Sequence, residues 1–278
     1  MTPSRISTDS NSLITPIVLT IAGSDSGGGA GIQADIKTIS ATGGYACSAI
    51  TALTAQNTQG VMGIYPISSE FVEQQLDAVF SDLNIVAVKI GMLSDSTIIT
   101  SVAKKLVQYA PKHVVLDPVM VATSGDMLLK STAMTILKSA LFPLADVITP
   151  NLPEAAALIG CEVPKTEGEM IAMIDKLRQL GAKSVLLKGG HLECDLNSAD
   201  LLILTDEVIR LSTPRIDTKN THGTGCTLSS AIASFLAQNH NLEQSVRLAK
   251  AYITQAISHA DELNIGKGHG PVNHFFAP

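Results

Sequence analysis

Several residues in this chain stand where they could hold or move a charged group. A glycine turn, Gly223 to Gly225, runs into Cys226, Leu228, Ala231, Ala233 and Leu236, small and apolar residues at helical spacing. The turn therefore opens a helix whose first amides have no partner, which is an anion site. A thiol at that end, Cys226, would feel the positive pole of the helix. Two carboxylates follow apolar runs: Asp117 ends Val114-Val115-Leu116, and Glu154 comes shortly after the run at Asp146 to Thr149. Lys188 ends a third run, Ser184 to Leu187, beside Gly189 and Gly190.

Each residue alone has a plainer reading. Helix ends bind water, Asp-Pro opens turns, Glu in a first turn complements the dipole, and a lysine flanking a strand is usually solvated. Together they fit one chemistry. Carboxylates at neighbouring strand ends are hard oxygen donors for a hydrated magnesium ion, the lysine is a point charge for phosphate, and the turn is an anion hole.

Strands have to bring these groups together. Ile17 to Ala22 reads as a strand, followed by the glycine loop Gly23 to Gly31 and by Ile32, Ile36 and Ile39 at helical spacing. This loop has neither the lysine ending of a P-loop nor the spacing of a dinucleotide fingerprint. Tyr45 to Thr54 and Val61 to Ile67 read as strands around a polar turn that contains Gln56, forming a small flap. A helix from Ser69 to Phe80, a strand at Val86 to Ile90 and a helix capped by Ser94 and running to about Tyr109 follow. Leu201 to Leu204 and Val208 to Leu211 predict an edge hairpin, and a last helix spans about Leu242 to Leu263. Strands alternating with helices and no linker between them predict one three-layer α/β domain over residues 16–278, after a polar tail, residues 1–15, expected to be disordered.

Composition narrows the partners. A hydrophobic content of 45% and a net charge of −6 describe a compact protein with no general attraction to nucleic acid or to anionic membranes. No apolar run approaches the roughly 20 residues of a membrane span. The cysteines, Cys47, Cys161, Cys194 and Cys226, are irregularly spaced, so reduced thiols and a cytoplasmic setting are expected.

Seven segments taken in order carry a resemblance: Ala22-Gly-Ser-Asp-Ser-Gly-Gly-Gly-Ala-Gly-Ile-Gln-Ala-Asp35, Thr54-Ala-Gln-Asn57, Lys89-Ile-Gly-Met92, Val115-Leu-Asp-Pro-Val119, Thr149-Pro-Asn-Leu-Pro-Glu154, Lys188-Gly-Gly-His191 and Thr221-His-Gly-Thr-Gly-Cys-Thr227. Together they resemble the hydroxymethylpyrimidine (phosphomethylpyrimidine) kinases of thiamine biosynthesis, within the ribokinase superfamily. The resemblance implies a ribokinase-like three-layer α/β/α sandwich with a mostly parallel sheet and a small β flap. It also implies ATP and Mg2+ as cofactors, a homodimer, and phosphorylation of 4-amino-5-hydroxymethyl-2-methylpyrimidine and then of its monophosphate. By the same resemblance Gln56 holds the pyrimidine with Gly23, Ala30, Asp35 and Met92 around it. Asn151, Thr224 and Lys188 meet ATP, Asp117 and Glu154 organise the metal, and Lys188 with Gly223, Gly225 and Cys226 carries the transfer.

A ring amine beside a ring nitrogen offers a donor and an acceptor that one carboxamide can match, so Gln56 suits an aminopyrimidine better than a pyridine such as pyridoxal. Cys226 stands where most sugar kinases of the superfamily carry an Asp base. The expectation from sequence is that its thiolate assists phosphorylation of the hydroxyl more than phosphorylation of the phosphate.

Overall fold

The computed structural model describes residues 15–120, 131–190, 192 and 197–276. The predicted tail, except for residue 15, lies outside the described residues. The strands are β1 (Ile17–Ala22), β2 (Tyr45–Ile50), β3 (Ala52–Asn57), β4 (Gly60–Pro66), β5 (Ile85–Ile90), β6 (His113–Leu116), β7 (Val147–Ile148), β8 (Val185–Lys188), β9 (Asn197–Ile203) and β10 (Val208–Pro214). The helices are α1 (Gly31–Ala41), α2 (Ser69–Asp82), α3 (Ser96–Tyr109), α4 (Ser131–Ile136), α5 (Leu152–Ile159), α6 (Glu167–Ala172), α7 (Ile174–Arg178), α8 (Thr224–Ala237) and α9 (Leu242–Ser258).

The main sheet has the order β10-β9-β8-β7-β6-β5-β1-β2. From β2 to β8 every pairing is parallel, and β9 and β10 close one edge antiparallel. Apolar residues alternate between its faces. Leu19, Ile21, Val88, Ile90, Leu116 and Leu187 pack with helices α2, α3 and α5. Val18, Ala87, Val115, Val147, Leu186 and Leu202 pack with α1, α8 and α9. Strands buried on both faces read as continuous apolar runs, which is why the runs stood out in the sequence.

β1 lies between β2 and β5, so the chain reverses its direction of winding there. In open α/β sheets the crevice at such a switch point, beyond the carboxyl ends of the strands, takes the ligand. Gly23, Met92, Asp117, Pro150 and Gly189 all follow strand ends on that side.

Three sequence expectations shift here. Tyr45 to Thr54 is two strands in two sheets, broken at Thr51, whose amide donates to Ala22 O at 3.0 Å and whose hydroxyl donates to Met92 O at 2.7 Å. These bonds turn the chain out of the main sheet into the flap of β3 and β4, so Gln56 lies in a strand and the turn is at Thr58 and Gln59. Asp95 rather than Ser94 caps α3, accepting from the amides of Thr97 and Ile98. The last helix ends at Ser258 and continues as one 3-10 turn, Ala260–Glu262.

Candidate active site

The site begins with the loop after β1. Asp25 folds it: one carboxylate oxygen accepts from Gly27 N at 2.8 Å, and the other accepts from Gly29 N at 3.0 Å and Ala30 N at 2.8 Å. Burial pushes its carboxyl up, but the bond from His222 and those amides more than offset this and hold it below the usual range. The loop then meets the first turn of α1 so closely that a Cβ on Gly31, φ +56°, would lie 2.3 Å from Gly23 O.

The flap stands beside this loop. Thr54 donates to Ser24 O at 2.8 Å, while Ser26 Oγ accepts from Gln56 N at 2.8 Å and donates to Gln56 O at 2.7 Å. Side chains alternate along β3, so Thr54 and Gln56 face inward and Leu53 and Ala55 face out. A Cβ on Gly23 would lie 2.4 Å from Met92 Cε, which places Met92 against the floor of the same recess.

The turn before α8 packs directly on the loop. A Cβ on Gly223 would lie 1.9 Å from Gly29 O and 3.4 Å from Ala30 Cα. Gly223 itself has φ +81°, so glycine is required there for conformation as well as space. No side chain caps α8; the amide of Thr224 donates to Thr221 O at 3.3 Å, and those of Gly225 and Cys226 are the ones open to a ligand. Thr224 donates its hydroxyl back to Thr221 O at 2.6 Å.

Below the turn sits the ion pair. Lys188 Nζ is 2.9 Å from Asp117 Oδ1, which also accepts from Thr149 at 2.8 Å. A Cβ on Gly225 would lie 3.3 Å from both Asp117 Oδ2 and Lys188 Nζ, so glycine lets the helix end approach the pair. Burial works against both charges, but their attraction wins: the Lys188 ammonium titrates above its usual range and the Asp117 carboxyl below its own. Glu154 forms a capping box with Asn151, accepting from Asn151 N at 2.8 Å while Asn151 Oδ1 accepts from Glu154 N at 2.9 Å. Burial raises Glu154 to about 7 despite the nearby Lys188, and Asp117 pushes in the same direction. Among the described residues no group of three or more metal-binding side chains exists. Two buried hard-oxygen carboxylates, one of them lifted chiefly by burial and further by its neighbour, fit a divalent cation that keeps most of its waters.

A family model described as phosphomethylpyrimidine kinase matches residues 25–273. The chain belongs to that family. It is 52% identical over 259 residues, 93% of this chain and 97% of the relative, to the hydroxymethylpyrimidine/phosphomethylpyrimidine kinase of Salmonella typhimurium. It is 53% identical over 262 residues, 94% of this chain and 98% of the relative, to the protein of the same name from Rhizobium meliloti. Among solved structures, the phosphomethylpyrimidine kinase of Clostridium difficile is similar at TM-score 0.76 and 45% identity, covering 87% of this chain and 99% of that one. The Bacillus subtilis pyridoxal kinase solved with ADP superposes at TM-score 0.87 and 36% identity, covering 94% of this chain and 97% of that one.

Two site residues expected for this kinase family from the sequence behave differently in the structure. Asp35 is completely buried and accepts from Lys89 Nζ at 2.8 Å with each oxygen, from Thr20 at 2.6 Å and from Ser230 at 2.6 Å. It supports the site from beneath and offers the ring no surface. Cys226 is the other. Burial pushes its thiol up to about 11, and Asp35 and Asp117 add to the rise, against the pull of Lys89 and the amide of Gly31. That direction runs against the thiolate base expected from the helix end.

Asp25, Lys89 and His222 were missed as site residues. Asp25 lies two residues past Gly23, and an Asp followed by glycines marks a side chain that folds its own loop. Lys89 in the apolar run Val86 to Ile90 was the other legible sign, because a lysine buried on a central strand needs a carboxylate partner.

Proposed function

We propose that this protein transfers the γ-phosphoryl group of ATP to the hydroxyl of 4-amino-5-hydroxymethyl-2-methylpyrimidine, and then to the resulting monophosphate, as a step of thiamine biosynthesis. The observation that carries this reading is Gln56, a half-buried carboxamide on the flap, which is bonded to the glycine loop through Ser26 and lies 3.5 Å from His222, just before the turn of α8. In the proposed complex its amide pairs with the ring amine and ring nitrogen, between Gly23, Ala30 and Met92, and the hydroxymethyl group points at the turn.

The chain's own groups then account for the transfer. Lys188 and the amides of Gly225 and Cys226 neutralise charge on the moving phosphoryl oxygens, and Thr224 and Asn151 border the nucleotide phosphates. Asp117 and Glu154 would hold Mg2+ through its waters, and the metal when bound supplies charge neutralisation on the phosphate oxygens. Cys226, protonated, serves as a small hydrogen-bond donor beneath the turn. Residues 16–278 act as one kinase domain in the cytoplasm. The outer face of the flap exposes Leu53 and Tyr65, which pair across its two strands. A two-stranded ribbon with an apolar outer face is marginal alone, and pairing across a homodimer would cover it.

A second reading, pyridoxal phosphorylation, is favoured by the superposition on the Bacillus subtilis pyridoxal kinase. The test is an ATP-coupled assay in Mg2+ with the pyrimidine alcohol, its monophosphate and pyridoxal. Preference for the pyrimidines in kcat/KM supports the first reading, and preference for pyridoxal supports the second.

A further inference from the structure

His222 immediately precedes the turn of α8 and reaches back into the glycine loop. Its Nε2 is 2.8 Å from Asp25 Oδ2 and 3.5 Å from the Gln56 carboxamide nitrogen. The ring is wedged against the loop, since a Cβ on Gly29 would lie 2.5 Å from His222 Cδ2. The side chain thus touches the loop, the flap and the turn.

Counting protons fixes what His222 can do. Asp25 is ionised at neutral pH, its carboxyl being held below the usual range, and accepts only, so the hydrogen between it and His222 sits on Nε2. That nitrogen cannot also accept from Gln56. Thr54 Oγ1 spends its one hydrogen on Ser24 O at 2.8 Å, and so cannot also donate to the Gln56 carboxamide atom 3.1 Å away. With oxygen toward Thr54 and nitrogen toward His222, the amide would face an acceptor with an acceptor and a donor with a donor. The two positions are interchangeable by a half-turn of the amide, and the half-turn cures both mismatches. Nitrogen then donates to Thr54, and oxygen lies on the side of His222.

We propose that His222, held by Asp25, is a positioning residue that fixes the Gln56 amide with its oxygen toward the turn of α8 and thereby sets the order of donor and acceptor the site reads. This rests on the reading of Gln56 as the pyrimidine contact. In the substrate the amino group is on the ring carbon next to the one bearing the hydroxymethyl group. With that arm aimed at the turn, the amino group is on the turn side and needs an acceptor there, and the ring nitrogen beyond it needs a donor. The fixed amide supplies both in that order. The 4-oxo analogue reverses the pair, a carbonyl at the amino position and an N–H at the ring nitrogen, and so meets a mismatch at each.

The experiment measures kcat/KM for the 4-amino alcohol and for its 4-oxo analogue, with ATP and Mg2+, in wild type, His222→Phe, His222→Gln, Asp25→Asn and Gln56→Met, with thermal melts to establish folding. The ratio of the two values is the readout, because a merely structural defect lowers both together. His222→Phe and Asp25→Asn, which leave Thr54 alone to hold the amide in that orientation, should each lower the ratio about tenfold, the scale of one mismatched buried hydrogen bond. His222→Gln, which can still donate to Asp25, should keep the ratio near that of wild type. If His222→Phe fails to fold, Asp25→Asn decides by the same criterion. A wild-type ratio in whichever of these folds, with both rates reduced in proportion, overturns the inference. Gln56→Met separates the two claims: if it leaves the 4-amino substrate unaffected, the parent reading falls, whereas a loss there beside an unchanged ratio in the His222 and Asp25 variants removes only the positioning role.

Discussion

Lys89 donates to both carboxylate oxygens of Asp35 at 2.8 Å, and both side chains are completely buried between the sheet and α8. Burial alone pushes the lysine down, but the attraction of Asp35, with Cys226 and Asp117 adding to it, raises the ammonium well above its ordinary range. A Cβ on Gly91 would lie 2.8 Å from Lys89 Nζ, so the pair is tucked beneath the strand end that carries Met92.

A buried pair of this kind costs most when it is split. Lys89→Met and Asp35→Asn should each destabilise the fold by about 3–5 kcal/mol, since each leaves one buried group uncompensated. Lys89→Met with Asp35→Asn should lose distinctly less than the sum. Urea unfolding of the three variants measures this, and strictly additive losses would show that the two groups are not a unit.

Glu154 should make stability depend on pH. Its carboxyl titrates at about 7 when folded against 4.5 as a free side chain, so between those values the folded state binds more protons than the unfolded one. The associated stability is complete below the unfolded value and is lost as pH rises through about 7. Glu154→Gln keeps the capping box without the titration. In the absence of divalent cations its melting temperature should therefore gain on wild type as pH goes from about 5 to about 8, by a few degrees for each kcal/mol recovered. Added Mg2+, by favouring the ionised carboxylate, should narrow the gap. A gap that is the same at every pH would refute the assignment.

Cys226 is expected to be quiet. With its thiol raised to about 11, peptide-level mass spectrometry after iodoacetamide at neutral pH should find it labelled far more slowly than the exposed Cys161. Cys226→Ala should lower phosphorylation of the alcohol and of the monophosphate in similar proportion. A selective loss of the alcohol step would restore the thiolate base.

Much of this is legible in the sequence. The runs at β1, β5, β6 and β8 are apolar because parallel strands covered on both faces have no polar side, and the groups at their ends, Asp117 and Lys188, inherit their location from that pattern. Glycines at Gly31 and Gly223 marked places where backbone meets backbone. Other features depend on contacts between residues far apart in the chain. The break at Thr51 comes from bonds to Ala22 and Met92, which no local signal announces. His222 lies 197 residues from Asp25, and only the packing of the turn on the loop makes them partners. The helix end at Cys226 suggested a low pKa, but burial between carboxylates outweighed the dipole.

The central claim is that the Gln56 amide reads an aminopyrimidine for phosphorylation. Its most direct test is steady-state kcat/KM with ATP and Mg2+ on the pyrimidine alcohol and on pyridoxal, wild type beside Gln56→Met. Wild type should favour the pyrimidine, and Gln56→Met should lose about tenfold to a hundredfold on the pyrimidine, the scale of buried groups left unpaired, with little change on pyridoxal. A wild-type preference for pyridoxal, or a Gln56→Met variant as active on the pyrimidine as wild type, would contradict it.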